Sequence, residues 1–359
     1  MAKIALINDQ HYGIKNDSPI FLDYFSKCHE WFFKILDDQN IKHAINLGDL
    51  FDRRKYLNFQ TANRIRKDFF QPLVQRGIET HIITGNHDVY YKDTHEVNAL
   101  REIVGNRYDN IKIYSVPCML NIGGLDIQLI PWITPSNSEQ SYQAIKTTKA
   151  EILMGHFEIN GFEFFKGVVS DHGDDINTFS RFDMVISGHY HHKSTKGNIN
   201  YLGAFGEYTW ADYNDPRGFH IFDTETRELT FLQNPHKMFK MMLYDDVKHK
   251  DIVEKITSTN YTKYADCYVK IVCANRTNPY AFDLLLDKLY KANPADISVV
   301  EGSSSITDNN ENETVDGAED TQTILSTYIK GLTLPVDSDK MIMYMIEVYK
   351  EALSLESVE

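Results

Sequence analysis

Over the first half of the chain, short apolar runs alternate with stretches in which apolar residues return every three or four positions. The runs at residues 4–7, 43–47, 80–84, 127–130, 152–154 and 184–186 are rich in Ile, Val and Leu and predict strands buried on both faces. Residues 21–36 and 59–74 carry helical spacing between them. Together these elements predict an α/β fold with a layered αββα core. From residue 200 the rhythm tightens into short strands at 201–204, 218–222 and 228–232, with the turn-forming Asn214-Asp215-Pro216 between them. The core is expected to end at 235.

Residues 238–300 then read as strand, helix, strand (267–272), helix (280–290) and strand (297–300), the size of a small α+β capping domain over 236–300. Residues 301–320 hold seven acids and no Lys or Arg, the composition of a flexible linker. Over 321–359, residues 323–329 and 338–353 regain helical spacing, including Ile342, Met345, Ile346 and Tyr349. Two short amphipathic helices beyond a linker have little core of their own, so they are expected to dock on a partner. The alternative is that they pack back on the main body.

With 359 residues, 42% of them hydrophobic, the chain can bury a large core. A formal charge of -14 excludes a protein that coats nucleic acid by net attraction, so any DNA contact must be a local patch or shared with a partner. Cys28, Cys118, Cys267 and Cys273 are scattered without a CxxC pair, which suits reduced thiols in a cytoplasm. No stretch has the signal-peptide pattern or the roughly 18 consecutive apolar residues of a membrane helix.

The chemistry lies at the ends of the apolar runs: Asp9-Gln10-His11, Gly48-Asp49-Leu50-Phe51-Asp52, Gly85-Asn86-His87-Asp88, Gly155-His156 and Gly188-His189-Tyr190-His191. A Gly before the polar residue permits the tight turn that brings the next side chain inward. One such string would be a turn or a satisfied histidine; five in order, each at a strand end, point to a metal site. Imidazole, carboxylate and one amide oxygen without thiolate suit Mn, Fe or Zn. With only Asp9 and Asp49 anionic, two divalent ions leave the site net positive and receptive to phosphate. Two ions about 3.5–4 Å apart can activate a water and clamp the attacking and leaving oxygens.

These strings resemble the calcineurin-like metallophosphoesterase superfamily, with its pattern D-x-H, GD-x-x-D, GNH-[DE], GH and GH-x-H, over residues 3–192. The resemblance implies a four-layer αββα core and two divalent ions, most suitably Mn2+, with Mg2+, Fe2+ or Zn2+ as alternatives. It implies that Asp9, His11 and His191 hold one ion, that Asn86, His156 and His189 hold the second, and that Asp49 bridges them. His87 would stabilise the transition state and protonate the leaving oxygen, and Asp88 would orient His87. His192 has no part in the pattern and reads as a solvated loop residue. Where some relatives carry a His, this chain has Asp52, which cannot donate in the same way and is expected to support a neighbouring ligand or turn.

The arrangement of core, cap, acidic linker and terminal helices resembles the SbcD-type nuclease subunit, most closely the recombination nuclease subunit of T-even-like phages. The strings Leu129-Ile130-Pro131-Trp132, Asn160-Gly161-Phe162, Phe165-Lys166-Gly167 and Asn214-Asp215-Pro216-Arg217-Gly218-Phe219 carry that narrower match. It implies a DNA exonuclease and endonuclease acting with an SbcC-type coiled-coil ABC ATPase in recombination and double-strand break repair, in the host cytoplasm if phage-encoded. The C-terminal helices would bind the ATPase. Arg53, Arg54 and Lys55 are expected to flank the metals and hold DNA phosphates, while Arg64, Arg66 and Lys67 read equally well as a solvated helix face. The family's homodimer would use residues 58–73 and 95–104, with Phe69, Phe70, Leu100 and Ile103 as an apolar seam; a core-facing role for these residues is the alternative. The competing function is a phosphomonoesterase or cyclic-nucleotide phosphodiesterase; Asp-Arg-Arg in place of the protein phosphatases' Asp-Arg-Gly counts against a protein phosphatase. A metal-bound scaffold without catalysis is disfavoured by the presence of His87.

Overall fold

The structure, a computed structural model, describes residues 2–105, 107–165, 167–301 and 340–345. It divides into two compact units, Met1–Lys237 and Met238–Glu359.

In the first unit the strands are β1 (Lys3–Ile7), β2 (His43–Asn46), β3 (Glu79–Ile83), β4 (Ile111–Tyr114), β5 (Cys118–Ile122), β6 (Leu125–Ile130) and β7 (Ile152–His156). They continue with the small pair β8 (Glu163–Phe165) and β9 (Val168–Val169), then β10 (Met184–Gly188), β11 (Ser194–Lys196), β12 (Ile199–Tyr201), β13 (Gly218–Asp223) and β14 (Leu229–Gln233). Two six-stranded sheets result, ordered β14-β13-β1-β2-β3-β4 and β11-β12-β10-β7-β6-β5. Within them β1 to β4 are parallel neighbours, as are β6, β7, β10 and β12. Their facing surfaces close on one apolar layer of Ile4, Leu6, Ile45, Ile83 and Phe222 against Leu120, Ile127, Leu129, Ile152, Met154 and Ile186.

Helices cover the outer faces, because strands apolar on both sides need a second partner. The helix Pro19–Asp38 starts at a proline in its first turn and buries Phe21, Phe25, Cys28, His29, Phe32 and Leu36. On the other sheet, Ser138–Thr147 packs through Ile145 against Leu153, Phe157, Val185 and Tyr190. The helical stretch expected over 59–74 is interrupted: Phe59–Ile65 and Gln71–Gln75 are joined by a π-helical turn, Arg66–Phe70, that sends both Phe69 and Phe70 inward. Phe69, Phe70 and Leu100 are completely buried in the chain's own core and Ile103 is half-buried. This corrects the expected dimer seam, since helical periodicity identified an apolar face without saying what covers it. The strand expected at 201–204 is shifted to Ile199–Tyr201, which pairs with Ser194–Lys196.

In the second unit β15 (Phe239–Asp245), β16 (Tyr268–Asn275) and β17 (Asp296–Glu301) form a parallel sheet. The helices Ile252–Ser258 and Pro279–Lys291 connect successive strands, and Tyr244, Ile256, Val269, Ile271, Phe282 and Leu285 make a separate core. The acidic stretch from 302 to 320, the helix expected over 323–329 and most of that over 338–353 lie outside the described residues. Residues 340–345 are helical, with Met343 and Tyr344 exposed.

Candidate metal centre

The polar blocks follow, or end, strands of both sheets: β1 and β2 lead to Asp9 and Asp49, β3 to Asn86, and β7 and β10 to His156 and His189. Backbone bonds tie the blocks together, with Asp9 N donating to Gly48 O at 3.0 Å and His11 N to Asp49 O at 3.1 Å. The turns are tight enough that Asp9, His11, Asp49 and His189 all sit at positive φ, between 46° and 87°. Non-glycine residues pay about 1–3 kcal/mol for such sparsely populated conformations, which persist where surrounding structure enforces them. Two glycines make the approach possible. A Cβ on Gly85 would collide with the Asp49 carboxylate, and one on Gly48 (φ 97°) would come within 2.7 Å of His156 Nδ1.

The side chains expected to be ligands converge. Donor atoms of Asp9, His11 and His191 lie within 4.8 Å of one another, as do those of Asp49, His156 and His189. His11 Nε2 and His191 Nε2 are 3.0 Å apart. Asn86 Oδ1 stands 2.9 Å from His156 Nε2 and 3.0 Å from His189 Nδ1. Asp49 lies between the clusters, its Oδ2 3.4 Å from His156 Nε2 and 3.9 Å from His11 Nε2. His156 is turned the right way because Nδ1–H donates to Leu47 O at 2.7 Å, which leaves Nε2 facing the centre. Buried nitrogens and carboxylate oxygens gathered this closely are a donor set that divalent ions fit.

Burial opposes ionisation of His11, but the adjacent Asp52 and Asp49 carboxylates raise its pKa to about 9. His156 is also raised to about 9, against burial, by Asp49 and Asp9. His189 is lowered to about 3 by burial and the charge of His156, and His191 is held well below its ordinary value by burial and His11. Burial raises Asp9; Asp49, despite burial, is held well below the usual carboxylate range by His156 and His87.

Asp88 corrects an expectation. Its carboxylate accepts from the backbone N–H groups of Asp49 (2.9 Å), Leu50 (3.1 Å), Phe51 (3.2 Å) and Gly85 (2.9 Å). It thus ties the second block to the third and is not what orients His87. That task falls to the backbone: His87 Nδ1–H donates to Asp52 O at 2.6 Å. Burial lowers the pKa of His87 and raises that of Asp88 to about 7. The Asp52 side chain faces His11, with Oδ1 3.5 Å from Nδ1.

His192 is also corrected. It is not a solvated loop residue: Nδ1 lies 3.0 Å from Asp215, and the buried Arg217 bridges Asp215 at 2.9 Å, Asp212, and the carbonyl of His191. This charged cluster pins the loop that carries His189 and His191, and Tyr208, buried beside it, donates to Asp9 O. Gln10, between Asp9 and His11, belongs to a second buried chain in which Asn46 donates to Gln10 Oε1 (2.6 Å) and Gly48 N donates to Asn46 Oδ1 (2.9 Å). Trp132 lies against His189, ring centroids 5.0 Å apart. The strings at 129–132 and 214–219 contained Trp132, Asp215 and Arg217 without revealing these supporting roles, and nothing in the sequence marked Asn46 or Tyr208.

The basic residues separate. Arg53 is engaged by Asp17, donates to Gly13 O at 3.1 Å, and lies over the Tyr56 ring. It is therefore committed to the fold and not free to hold a DNA phosphate. Arg54 is half-buried, and Lys55 is exposed. Arg64 is ion-paired with Asp23 and Asp68, and Arg66 donates to Asn63 on the same helical stretch.

Comparisons with known proteins give the family. The family model for calcineurin-like phosphoesterases matches residues 2–193. The chain is 32% identical to exonuclease subunit 1 of Enterobacteria phage T4 over 357 residues, covering 98% of this chain and 99% of that protein. It is 23% identical to the SbcD component of the nuclease SbcCD from Staphylococcus epidermidis, covering 82% and 84% of the two chains. A dimetal phosphatase from Danio rerio superposes with a TM-score of 0.37 at 10% identity, over 61% of this chain and 91% of that one. The chain belongs to the calcineurin-like phosphoesterase family and is a hydrolase of phosphoester bonds.

Proposed function

We propose that the protein is a manganese-dependent DNA exonuclease and endonuclease subunit that works with an SbcC-type ABC ATPase in recombination and double-strand break repair. One observation carries this reading: the relationship to the phage T4 exonuclease subunit spans 98% of the chain, far beyond the family match that ends at residue 193. The second unit and the tail therefore fall within the stretch aligned with a nuclease, and not the metal blocks alone.

In this reading Asp9, His11 and His191 would hold one ion and Asn86, His156 and His189 the other, with Asp49, which lies between the two clusters, available to both. Bound there, the ions supply Lewis-acid stabilisation of the phosphoryl group and acidify the attacking water. The chain's own part is orientation and proton transfer. With Nδ1–H committed to Asp52 O, His87 has Nε2 available to substrate. The charge of an arriving phosphate favours the imidazolium, which then donates its Nε2 proton to the leaving oxygen. Lys55, exposed beside this block, contacts the DNA backbone. A homodimer would use the exposed aromatic residues Tyr56, Phe59, Tyr90 and Tyr91 in place of the buried seam. The tail beyond 301 engages the ATPase. No helix among the described residues is long and apolar enough to cross a membrane, and a reducing cytoplasm suits the free cysteines.

The test is manganese-dependent cleavage of linear duplex and single-stranded DNA, with and without the ATPase subunit, for wild type and His87→Ala. DNA cleavage lost in His87→Ala is expected. Turnover of small phosphomonoesters with no DNA cleavage under any of these conditions would overturn the reading.

A further inference from the structure

Arg53 and Arg54 are adjacent in sequence and opposite in circumstance. Arg53 has an aspartate, a carbonyl and an aromatic face around its guanidinium. Arg54 has its Nε and Nη1 buried, and among the described residues neither meets an acceptor. A buried N–H left unmet carries its full desolvation penalty, and on a charged group that penalty is larger. Burial lowers the pKa of Arg54, and the charge that opposes this comes from Asp49. Asp49 attracts Arg54 without bonding to it: its Oδ1 accepts from His87 N at 2.8 Å and its Oδ2 faces His156. A cation kept half-buried beside the centre, with Nε and Nη1 unanswered inside and Nη2 the guanidinium nitrogen not closed off, can turn toward an anion that arrives from outside.

We propose that Arg54 is a catalytic residue that donates to a non-bridging oxygen of the scissile phosphodiester, reading the phosphate itself and not the DNA around it. The inference rests on the phosphodiesterase reading above. During the reaction the bond from phosphorus to the water oxygen forms as the bond to the leaving oxygen breaks; the water's proton goes to solvent, and His87 protonates the leaving oxygen. Charge on the non-bridging oxygens rises toward the transition state, so the contact strengthens there and acts on kcat more than on KM. Lys55, exposed next in sequence, makes the opposite kind of contact, with flanking phosphates and so with KM for DNA alone.

The experiment compares wild type, Arg54→Gln, Arg54→Lys and Lys55→Gln with manganese on bis(p-nitrophenyl) phosphate and on a short single-stranded oligonucleotide. Manganese affinity, melting temperature and calorimetric binding of inorganic phosphate to the manganese-loaded protein are measured alongside. Arg54→Gln is expected to lose on the order of 100-fold in kcat on both substrates and to bind phosphate at least about tenfold more weakly. Arg54→Lys should recover part of each loss, because it keeps charge without the planar fork. Lys55→Gln should raise KM for the oligonucleotide only. A kcat for Arg54→Gln within about threefold of wild type on both substrates, or a change confined to oligonucleotide KM, overturns the proposal. If Arg54→Gln melts early or loses manganese, Arg54→Lys decides: lowered kcat with intact melting and metal affinity supports the role, and full kcat overturns it. If wild type hydrolyses the small diester but no DNA, the DNA reading fails while Arg54 is still judged on the diester. If wild type is inactive on both, phosphate affinity unchanged by Arg54→Gln overturns the proposal and weakened affinity supports it.

Discussion

In the metal-free protein two imidazoles of the centre are cations at neutral pH, and ions can enter only by expelling their protons. His11 and His156 are each raised to about 9, so at pH 7 each is mostly protonated. Both present to the centre the nitrogen a metal needs, and a metal ligand must be unprotonated. Loading with Mn2+ at pH 7 should therefore release about two protons from these histidines. Affinity should tighten with pH, approaching two decades in the product of the two dissociation constants per pH unit below 9. Above pH 9 the release should fall toward zero, because the imidazoles are already neutral. Calorimetric titration of chelator-stripped protein in buffers of different ionisation enthalpy measures the proton count directly. A release below about half a proton at pH 7, or an affinity indifferent to pH between 7 and 9, would refute the charge arrangement described for Asp9, His11, Asp49 and His156.

Asp88→Ala should weaken manganese binding and cost about 3 kcal/mol or more in denaturant unfolding, since four buried N–H groups lose their acceptor; an unchanged melting curve with a shifted pH profile would restore the role of orienting His87. Gly85→Ala should leave circular dichroism near wild type yet abolish metal binding, because the methyl group collides with the Asp49 carboxylate; activity with added manganese would show that the turn yields. Arg53→Ala should destabilise by about 1–2 kcal/mol through loss of its largely buried pairing with Asp17 while leaving the salt slope of DNA binding unchanged, checked by denaturant melts and titrations at several salt concentrations. Phe69→Ala should cost about 3–5 kcal/mol of stability without a concentration-dependent change of mass in sedimentation, as a core residue requires.

The sequence by itself determined the layered architecture and the five polar blocks. Both are local: an apolar run of four or five residues makes a doubly buried strand, and a polar residue just past its end must emerge at the sheet's rim. Only the tertiary structure decided what each polar group does there. Arg53 and Arg54 are the same residue type at consecutive positions, yet Asp17, 36 residues away from Arg53, occupies one and leaves the other unmet. Asp88 follows His87 in sequence but turns to the amides of Asp49, Leu50 and Phe51, and the His87 ring is held by a carbonyl 35 residues distant. Phe69 and Phe70 look alike as seam or core until a π-helical turn sends both inward. Each case has the same physical cause. A hydrogen bond or a packed ring is chosen by whatever the rest of the chain brings near it, and strand periodicity carries no record of that partner.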